Sequence, residues 1–151
     1  MDLPQTILVP TDFSPCAEEA LDYALKLAER LDARVCIMHS YLLPVAGWEG
    51  AWAFPQDMIS QLEADSRAKL DSTLSKAREK LATTSASFWS GDPREAVPKL
   101  ARDIKADLIV MGTHGRKGLS RAIMGSVTET VLRHAPCAVL AVRLPKDGDS
   151  H

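Results

Sequence analysis

Short apolar runs alternate along this chain with longer stretches in which apolar residues recur every three or four positions. The short runs have the length of buried strands, and the longer stretches have the period of amphipathic helices. The pattern therefore predicts five strands joined by four helices. This order is typical of an α/β domain in which right-handed crossovers place helices on both faces of one parallel sheet.

The boundaries of these elements follow from the apolar runs and from helix-start signals. The predicted strands cover residues 6–10, 34–41, 84–90, 107–111 and 137–144. The predicted helices begin at Ser14-Pro15, near residue 56, at Asp92-Pro93 and at Gly125-Ser126, the last as a capping box headed by Ser126. Pro98 falls inside the third helix, where it removes a backbone donor and predicts a kink or a shortened helix. We predict one doubly wound domain over 1–145, with strand order 3-2-1-4-5 and a flexible tail at 146–151.

The overall composition disfavours several classes of partner and location. The chain has 18 basic and 20 acidic residues, and this balance gives no electrostatic footprint for nucleic acid or for an anionic membrane. Apolar stretches stay well short of the roughly 18 residues of a membrane-spanning helix, and the N-terminus lacks the pattern of a targeting signal. The three cysteines are widely spaced and form no Cys-x-x-Cys pair, which predicts a reducing, cytoplasmic compartment.

Glycines concentrate after the fourth predicted strand. Half of the eight glycines lie between positions 112 and 125. Glycine lets the backbone approach a ligand closely, and the amides at a helix start favour an anion. Gly112 and Gly115 are therefore expected to turn over a phosphate beside the charges of Arg116 and Lys117. The Ser126 and Thr128 hydroxyls are expected to contact phosphate oxygens. Two simpler interpretations stay open, namely that the loop is only a tight turn and that Ser126 only caps its helix.

The predicted topology brings a second segment to the same place. In the order 3-2-1-4-5 the strand order reverses between the first and fourth strands, and such sheets bind ligands outside the strand ends at that point. The first strand runs into Pro10-Thr11-Asp12 and the fourth into Met111-Gly112. We therefore expect Asp12 and the glycine loop to face one pocket. Asp12 has an alternative role as an Asx turn before the first helix.

Several segments, taken in order, resemble the universal stress protein family over nearly the whole chain. They are the opening Ile-Leu-Val-Pro-Thr-Asp-Phe-Ser at 7–14, the strand at 35–39, the run at 106–115, the spacing Gly112-x2-Gly115-x9-Gly125-Ser126, and Pro-Cys-Ala-Val-Leu at 136–140. The resemblance implies ATP as the ligand. The binding residues that it implies are Pro10, Thr11, Asp12, Ser40, Met111, Gly112, Gly115, Arg116, Gly125, Ser126, Val127 and Thr128.

By the same resemblance, Asp12 and Ser40 contact the adenine or ribose, and the residues from Met111 onward follow the ribose and the phosphates. Ser40 stands where the family usually has an aliphatic residue. A magnesium ion carried by the nucleotide would have Asp12 as its nearest carboxylate, because such an ion is often held by one or two carboxylates together with phosphate. The histidines and cysteines show no dedicated metal-ligand spacing.

We predict an ATP-binding stress-response protein that acts as a nucleotide-dependent switch. Phosphoryl transfer also needs an oriented nucleophile, and the sequence offers only positive charge, so it predicts at most a weak ATP hydrolase with no assigned catalytic residue. Two alternatives remain open, a slow ATPase and an adaptor for a protein partner with little ATP binding. The apolar fifth strand at 137–143 predicts a homodimer, as the resemblance also implies. The Trp-rich loop at 41–55 is interpreted as a lid, a partner surface or ordinary packing.

Overall fold

The computed structural model describes residues 2–42, 55–114 and 124–145. In these ranges, strands and helices alternate as β1 (Thr6–Pro10), α1 (Pro15–Leu31), β2 (Arg34–Tyr41), α2 (Gln56–Lys80), β3 (Ser85–Ser90), α3 (Pro93–Asp103), β4 (Leu108–Gly112), α4 (Ser126–His134) and β5 (Ala138–Val142). The strands form one parallel sheet in the order β3-β2-β1-β4-β5, which confirms the predicted fold class. The predicted tail at 146–151 and most of the Trp-rich loop lie outside the described residues.

Both faces of the sheet are covered because its central strands are apolar on both sides. Successive side chains of a strand point to opposite faces, so one strand serves two cores. Ile7 and Val9 of β1 pack with α1 and α2, whereas Leu8 between them packs with α3 and α4. None of these three side chains is accessible to solvent. The described helices include none that is long and apolar enough to cross a membrane.

The predicted starts of α1 and α3 are confirmed, and the predicted cap of α4 is wrong. The Ser14 side chain accepts a hydrogen bond from the amide of Ala17, and the Asp92 carboxylate accepts one from the amide of Arg94. The Arg94 side chain also hydrogen-bonds Asp92 and lowers the pKa of that carboxyl below its usual value. In α4 the capping residue is Gly125, and no side-chain hydrogen bond caps the helix. Ser126 is instead the first helical residue.

Pro98 does not end α3. The helix continues past it to Asp103, so the predicted shortening is wrong, and the alternative of a kink stays a prediction. A proline at this position leaves one carbonyl of the previous turn without its helical partner. Pro98 is buried between the apolar positions Val97 and Leu100, and this packing on the sheet stabilises the short helix.

At their beginnings, β1 and β4 are joined by hydrogen bonds to one side chain. The Asp107 carboxylate accepts hydrogen bonds from the amides of Gln5 and Thr6, at 3.0 and 2.9 Å, and ties the beginning of β1 to the beginning of β4. The two strands then pair at Ile7 and Leu8. Because the strand order reverses here, crossovers leave the junction of the two strands towards opposite faces, and none of the described helices covers its carboxyl end. A cleft lies at that end.

Candidate functional site

The cleft lies at the carboxyl ends of β2, β1 and β4 and has a volume of about 200 Å³. Ten of the residues implied by the sequence line it, namely Pro10, Thr11, Asp12, Ser40, Met111, Gly112, Gly125, Ser126, Val127 and Thr128. Gly115, Arg116 and Lys117 lie outside the described residues. The fold thus brings four separate segments of the chain to one place, and their role in binding stays a prediction.

The side of the cleft next to β2 and α3 is apolar. It is formed by Met38, Pro93 and Val97, with Pro10 from the end of β1. Sequence reasoning missed the first three of these residues. Met38 lies two positions before Ser40 and so shares its face of β2, a signal that the two-residue period of a strand contains. Pro93 and Val97 reach the cleft only because α3 packs over β2.

Ser40 ties β2 to the turn that begins α3. Its hydroxyl donates a hydrogen bond of 2.7 Å to the carbonyl of Gly91. The amide of Gly91 in turn donates to the carbonyl of Tyr41 at 2.9 Å. Gly91 has a φ of 137°, a backbone conformation that favours glycine. These bonds fix the turn from which Pro93 enters the cleft wall.

Asp12 serves as a turn residue and also lines the cleft. Its carboxylate accepts a hydrogen bond of 3.0 Å from the amide of Ser14, which is the Asx turn considered as an alternative. The Thr11 hydroxyl accepts one of 3.0 Å from the amide of Phe13. Phe13 adopts a φ of 64°, which is uncommon for residues other than Gly, Asn or Asp. The turn and ligand roles of Asp12 are therefore compatible.

The buried side chain of His39 contacts this turn. The sequence did not identify His39 as part of the site. His39 is 7% exposed, and its Nδ1 lies 2.8 Å from the carbonyl oxygen of Thr11. Its ring packs against Phe13, with 4.4 Å between centroids, and lies 6.0 Å from the ring of Phe88. The imidazole thus connects β2 to the 11–13 turn and restrains the backbone that carries Asp12.

The other side of the cleft is formed by the end of β4 and the start of α4. The hydroxyl of Thr128 donates a hydrogen bond of 2.8 Å to the carbonyl of Gly112, and the amide of Gly125 donates to the carbonyl of Thr113 at 2.9 Å. This hydrogen bond holds α4 against β4. The contact of the Thr128 hydroxyl with a phosphate stays a prediction.

Gly112 is required by close packing against α1. A Cβ atom at this position would lie 2.8 Å from Sγ of Cys16 and 3.0 Å from its backbone carbon and oxygen. Carbon atoms in real cores rarely approach so closely, and the backbone of a helix cannot turn aside as a side chain can. The glycine lets the N-terminus of α1 lie directly against the end of β4.

The start of α4 lies at the cleft. In any helix the first amides have no intrahelical acceptor, and the cap residue of α4, Gly125, has no side chain to accept a hydrogen bond from them. Gly125, Ser126 and Val127 line the cleft at this point, and Ser126 is exposed. The positive end of the helix dipole favours an anion there. The cleft thus combines an apolar wall with a helix start whose dipole favours an anion.

Titratable side chains in the described part of the cleft are Asp12, His39 and His114. Nδ1 of His114 lies 2.9 Å from the Thr113 hydroxyl. Within the ranges that the structure covers, no group of three or more His, Cys, Asp or Glu side chains is placed to hold a metal ion. A cation at this site would therefore depend on oxygen atoms supplied by a ligand.

Comparison with known proteins finds one family over nearly the whole chain. The model of the universal stress protein family matches residues 4–143. A universal stress protein of Methanocaldococcus jannaschii is 33% identical over 148 residues, which cover 96% of this chain and 85% of that protein. The solved structure of universal stress protein UspA from Lactobacillus plantarum has a TM-score of 0.78 at 26% identity, over 92% of this chain and 97% of that one.

Two further solved structures of the same fold contain nucleotides. One is a universal stress protein in complex with cAMP, with a TM-score of 0.68 and 24% identity over 93% of this chain and 98% of that chain. The other is a universal stress protein family protein from Arabidopsis thaliana with AMP bound, with a TM-score of 0.66 and 19% identity over 97% of each chain. At these identities the likeness is one of fold.

Proposed function

Because the chain belongs to the universal stress protein family, we propose that it binds ATP in this cleft and acts as a nucleotide-dependent regulator in a stress response. The observation that carries the proposal is that the start of α4, whose cap residue is Gly125, lines the same cleft as the apolar wall. One side suits the phosphates and the other suits a flat base. Structures of the same fold with cAMP and AMP support a nucleotide as the ligand class.

The two sides give the nucleotide an orientation. The base lies against Met38, Pro93 and Val97, and the phosphates lie at the amides of Ser126 and Val127. The ribose then crosses the end of β1, near Asp12. A magnesium ion held by the phosphates has this carboxylate as its nearest protein ligand in the described cleft.

We propose binding without efficient turnover. Rapid hydrolysis needs a group that orients the attacking water in line with the leaving phosphate. Asp12 and His39 both hydrogen-bond to the backbone of the 11–14 turn, which gives them a structural task. The described cysteines are free thiols, in keeping with the proposed cytoplasmic location.

Calorimetric titration of the full chain with ATP, ADP and AMP tests the proposal. ATP is expected to bind with the highest affinity, and AMP about tenfold more weakly, because AMP lacks the phosphates that reach the dipole of α4. Phosphate release over an hour, with and without magnesium, measures turnover in the same samples. The adaptor alternative predicts no heat of binding with any of the three nucleotides, and that result would refute the proposed function.

We also propose that the chain forms a homodimer through β5. This strand lies at one edge of the sheet, and its residues Val139 to Val142 are half-buried and apolar. A bare apolar edge invites pairing with another strand. Leu140 and Val142 pack with the core on the α1 side, which leaves the backbone edge of β5 as the surface for a second copy.

Ala141→Pro is expected to convert the dimer to a monomer in analytical ultracentrifugation at micromolar concentration. The carbonyl of Val142 accepts from Thr113 and so points to β4. Because backbone groups alternate in direction along a strand, the amide of Ala141 points to the open edge. Proline removes this amide without removing a bond to β4. Sedimentation of the unsubstituted chain as a monomer would contradict the proposal, and Ala138→Ser serves as a control on the same strand.

A further inference from the structure

We propose that the side chain of Ser40 selects the base by accepting a hydrogen bond from an amino group, so that the cleft prefers 6-aminopurines to 6-oxopurines. This inference rests on the proposed function and deepens it. Ser40 lines the cleft beside Met38, on the apolar side assigned to the base. Among the cleft residues that β2 contributes, it supplies a hydroxyl on the same face as the Met38 side chain.

The hydrogen-bond polarity of this hydroxyl is already determined by the protein. A serine hydroxyl has one hydrogen to donate and two lone pairs to accept with. Its hydrogen is directed to the carbonyl of Gly91 at 2.7 Å. A ligand atom that contacts Oγ of Ser40 therefore meets lone pairs and must itself donate.

Purines differ at carbon 6 in whether the substituent donates or accepts a hydrogen bond. Adenine carries an amino group there, which donates a hydrogen bond to Oγ of Ser40. Hypoxanthine and guanine carry a carbonyl oxygen, whose lone pairs face those of the serine without a hydrogen between them. A buried acceptor left unpaired costs on the order of 1–3 kcal/mol, which makes such a contact selective.

Backbone hydrogen bonds fix the direction of the Ser40 hydroxyl, because they hold its acceptor in position. Ser40 pairs with Trp89 across β2 and β3, and Tyr41 pairs with Ser90. The amide of Gly91 then donates to the carbonyl of Tyr41 at 2.9 Å, and the positive φ of Gly91 turns the chain into α3. The carbonyl of Gly91 is thus held in place as an acceptor for Ser40 before any ligand binds.

Competition between ATP and inosine triphosphate tests this inference, because the two nucleotides differ only in the purine ring at carbon 6 and its neighbour nitrogen. The unsubstituted chain is expected to bind ATP at least about tenfold more tightly. Ser40→Ala is expected to reduce that preference by about tenfold, whereas Ser40→Thr keeps it because threonine retains the hydroxyl. Ser90→Ala is the matched control, since Ser90 lies at the end of β3 and is exposed.

The ratio of the two affinities separates selection from a general loss of structure. A variant with a loosened cleft loses affinity for both nucleotides together, and thermal unfolding of each variant reports its stability. Equal binding of ATP and inosine triphosphate by the unsubstituted chain would overturn the role of Ser40 and leave nucleotide binding standing. An unchanged ratio in Ser40→Ala would also overturn it. Failure of both nucleotides to bind the unsubstituted chain would refute the proposed function itself.

Discussion

Ser126→Asp is expected to weaken ATP binding by about 100-fold while leaving the fold at least as stable as before. Ser126 is the first residue of α4 and lines the cleft where the phosphates are proposed to lie. A carboxylate at this position interacts favourably with the helix dipole, by about 0.3–1 kcal/mol. It also places a negative charge beside the phosphates, where repulsion at about 4 Å reaches several kcal/mol near a protein surface. Calorimetry measures the affinity, and thermal unfolding measures the stability.

Gln56→Asp is the matched control for this charge. Gln56 is the exposed first residue of α2, and like α4 this helix has no side-chain cap. The same charge at the same helical position then acts on a helix whose start does not line the cleft. We expect Gln56→Asp to bind ATP as the unsubstituted chain does. Equal affinity of both aspartate variants would show that the phosphates do not lie at α4.

Gly112→Ala is expected to destabilise the fold by about 1–3 kcal/mol and to lower the melting temperature by about 5 °C. The added methyl group has no room, because Sγ of Cys16 lies 2.8 Å from its position and the backbone of Cys16 lies 3.0 Å away. Relief requires α1 or the end of β4 to shift. Since the carbonyl of Gly112 holds α4 through Thr128, we expect ATP affinity to fall as well. Thermal unfolding with and without ATP measures both effects.

A double-mutant cycle identifies the cause of this loss. Cys16→Ala removes the sulfur atom but leaves the backbone contacts, so the double variant is expected to recover part of the stability lost in Gly112→Ala. Strictly additive effects of the two substitutions would contradict the proposed collision with the sulfur. A melting temperature of Gly112→Ala equal to that of the unsubstituted chain would contradict the packing argument as a whole.

The sequence was sufficient to predict the order of elements, the sheet topology and the position of the cleft. Apolar runs mark the strands, and Ser14-Pro15 and Asp92-Pro93 mark two helix starts through local hydrogen bonds. These two helix starts can be predicted from the sequence because their capping hydrogen bonds join residues that are close neighbours in the chain. Local reasoning failed at Ser126, where the pattern of a capping box stands one position inside the helix that it was expected to cap.

The hydrogen-bond and packing partners of the cleft side chains could not be predicted from nearby residues in the sequence. The burial of His39 beneath the 11–13 turn depends on β2 lying beside β1 and on Phe13 and Phe88 enclosing its ring. The hydroxyls of Ser40 and Thr128 are both directed to backbone carbonyls of distant segments, at Gly91 and Gly112. A sequence shows that a hydroxyl is present, but the acceptor that it finds depends on which segments the fold brings together.

By itself the sequence determined the fold class and the glycine-rich segment that follows the fourth strand. The reason is that the period of apolar residues and the conformational range of glycine are properties of short segments. Only the tertiary structure decided which side of the cleft is apolar, why Gly112 admits no side chain, and which way the Ser40 hydroxyl points. The physical reason is that close packing and hydrogen-bond direction arise between segments far apart in the chain, at distances where a few tenths of an ångström decide whether a contact is possible.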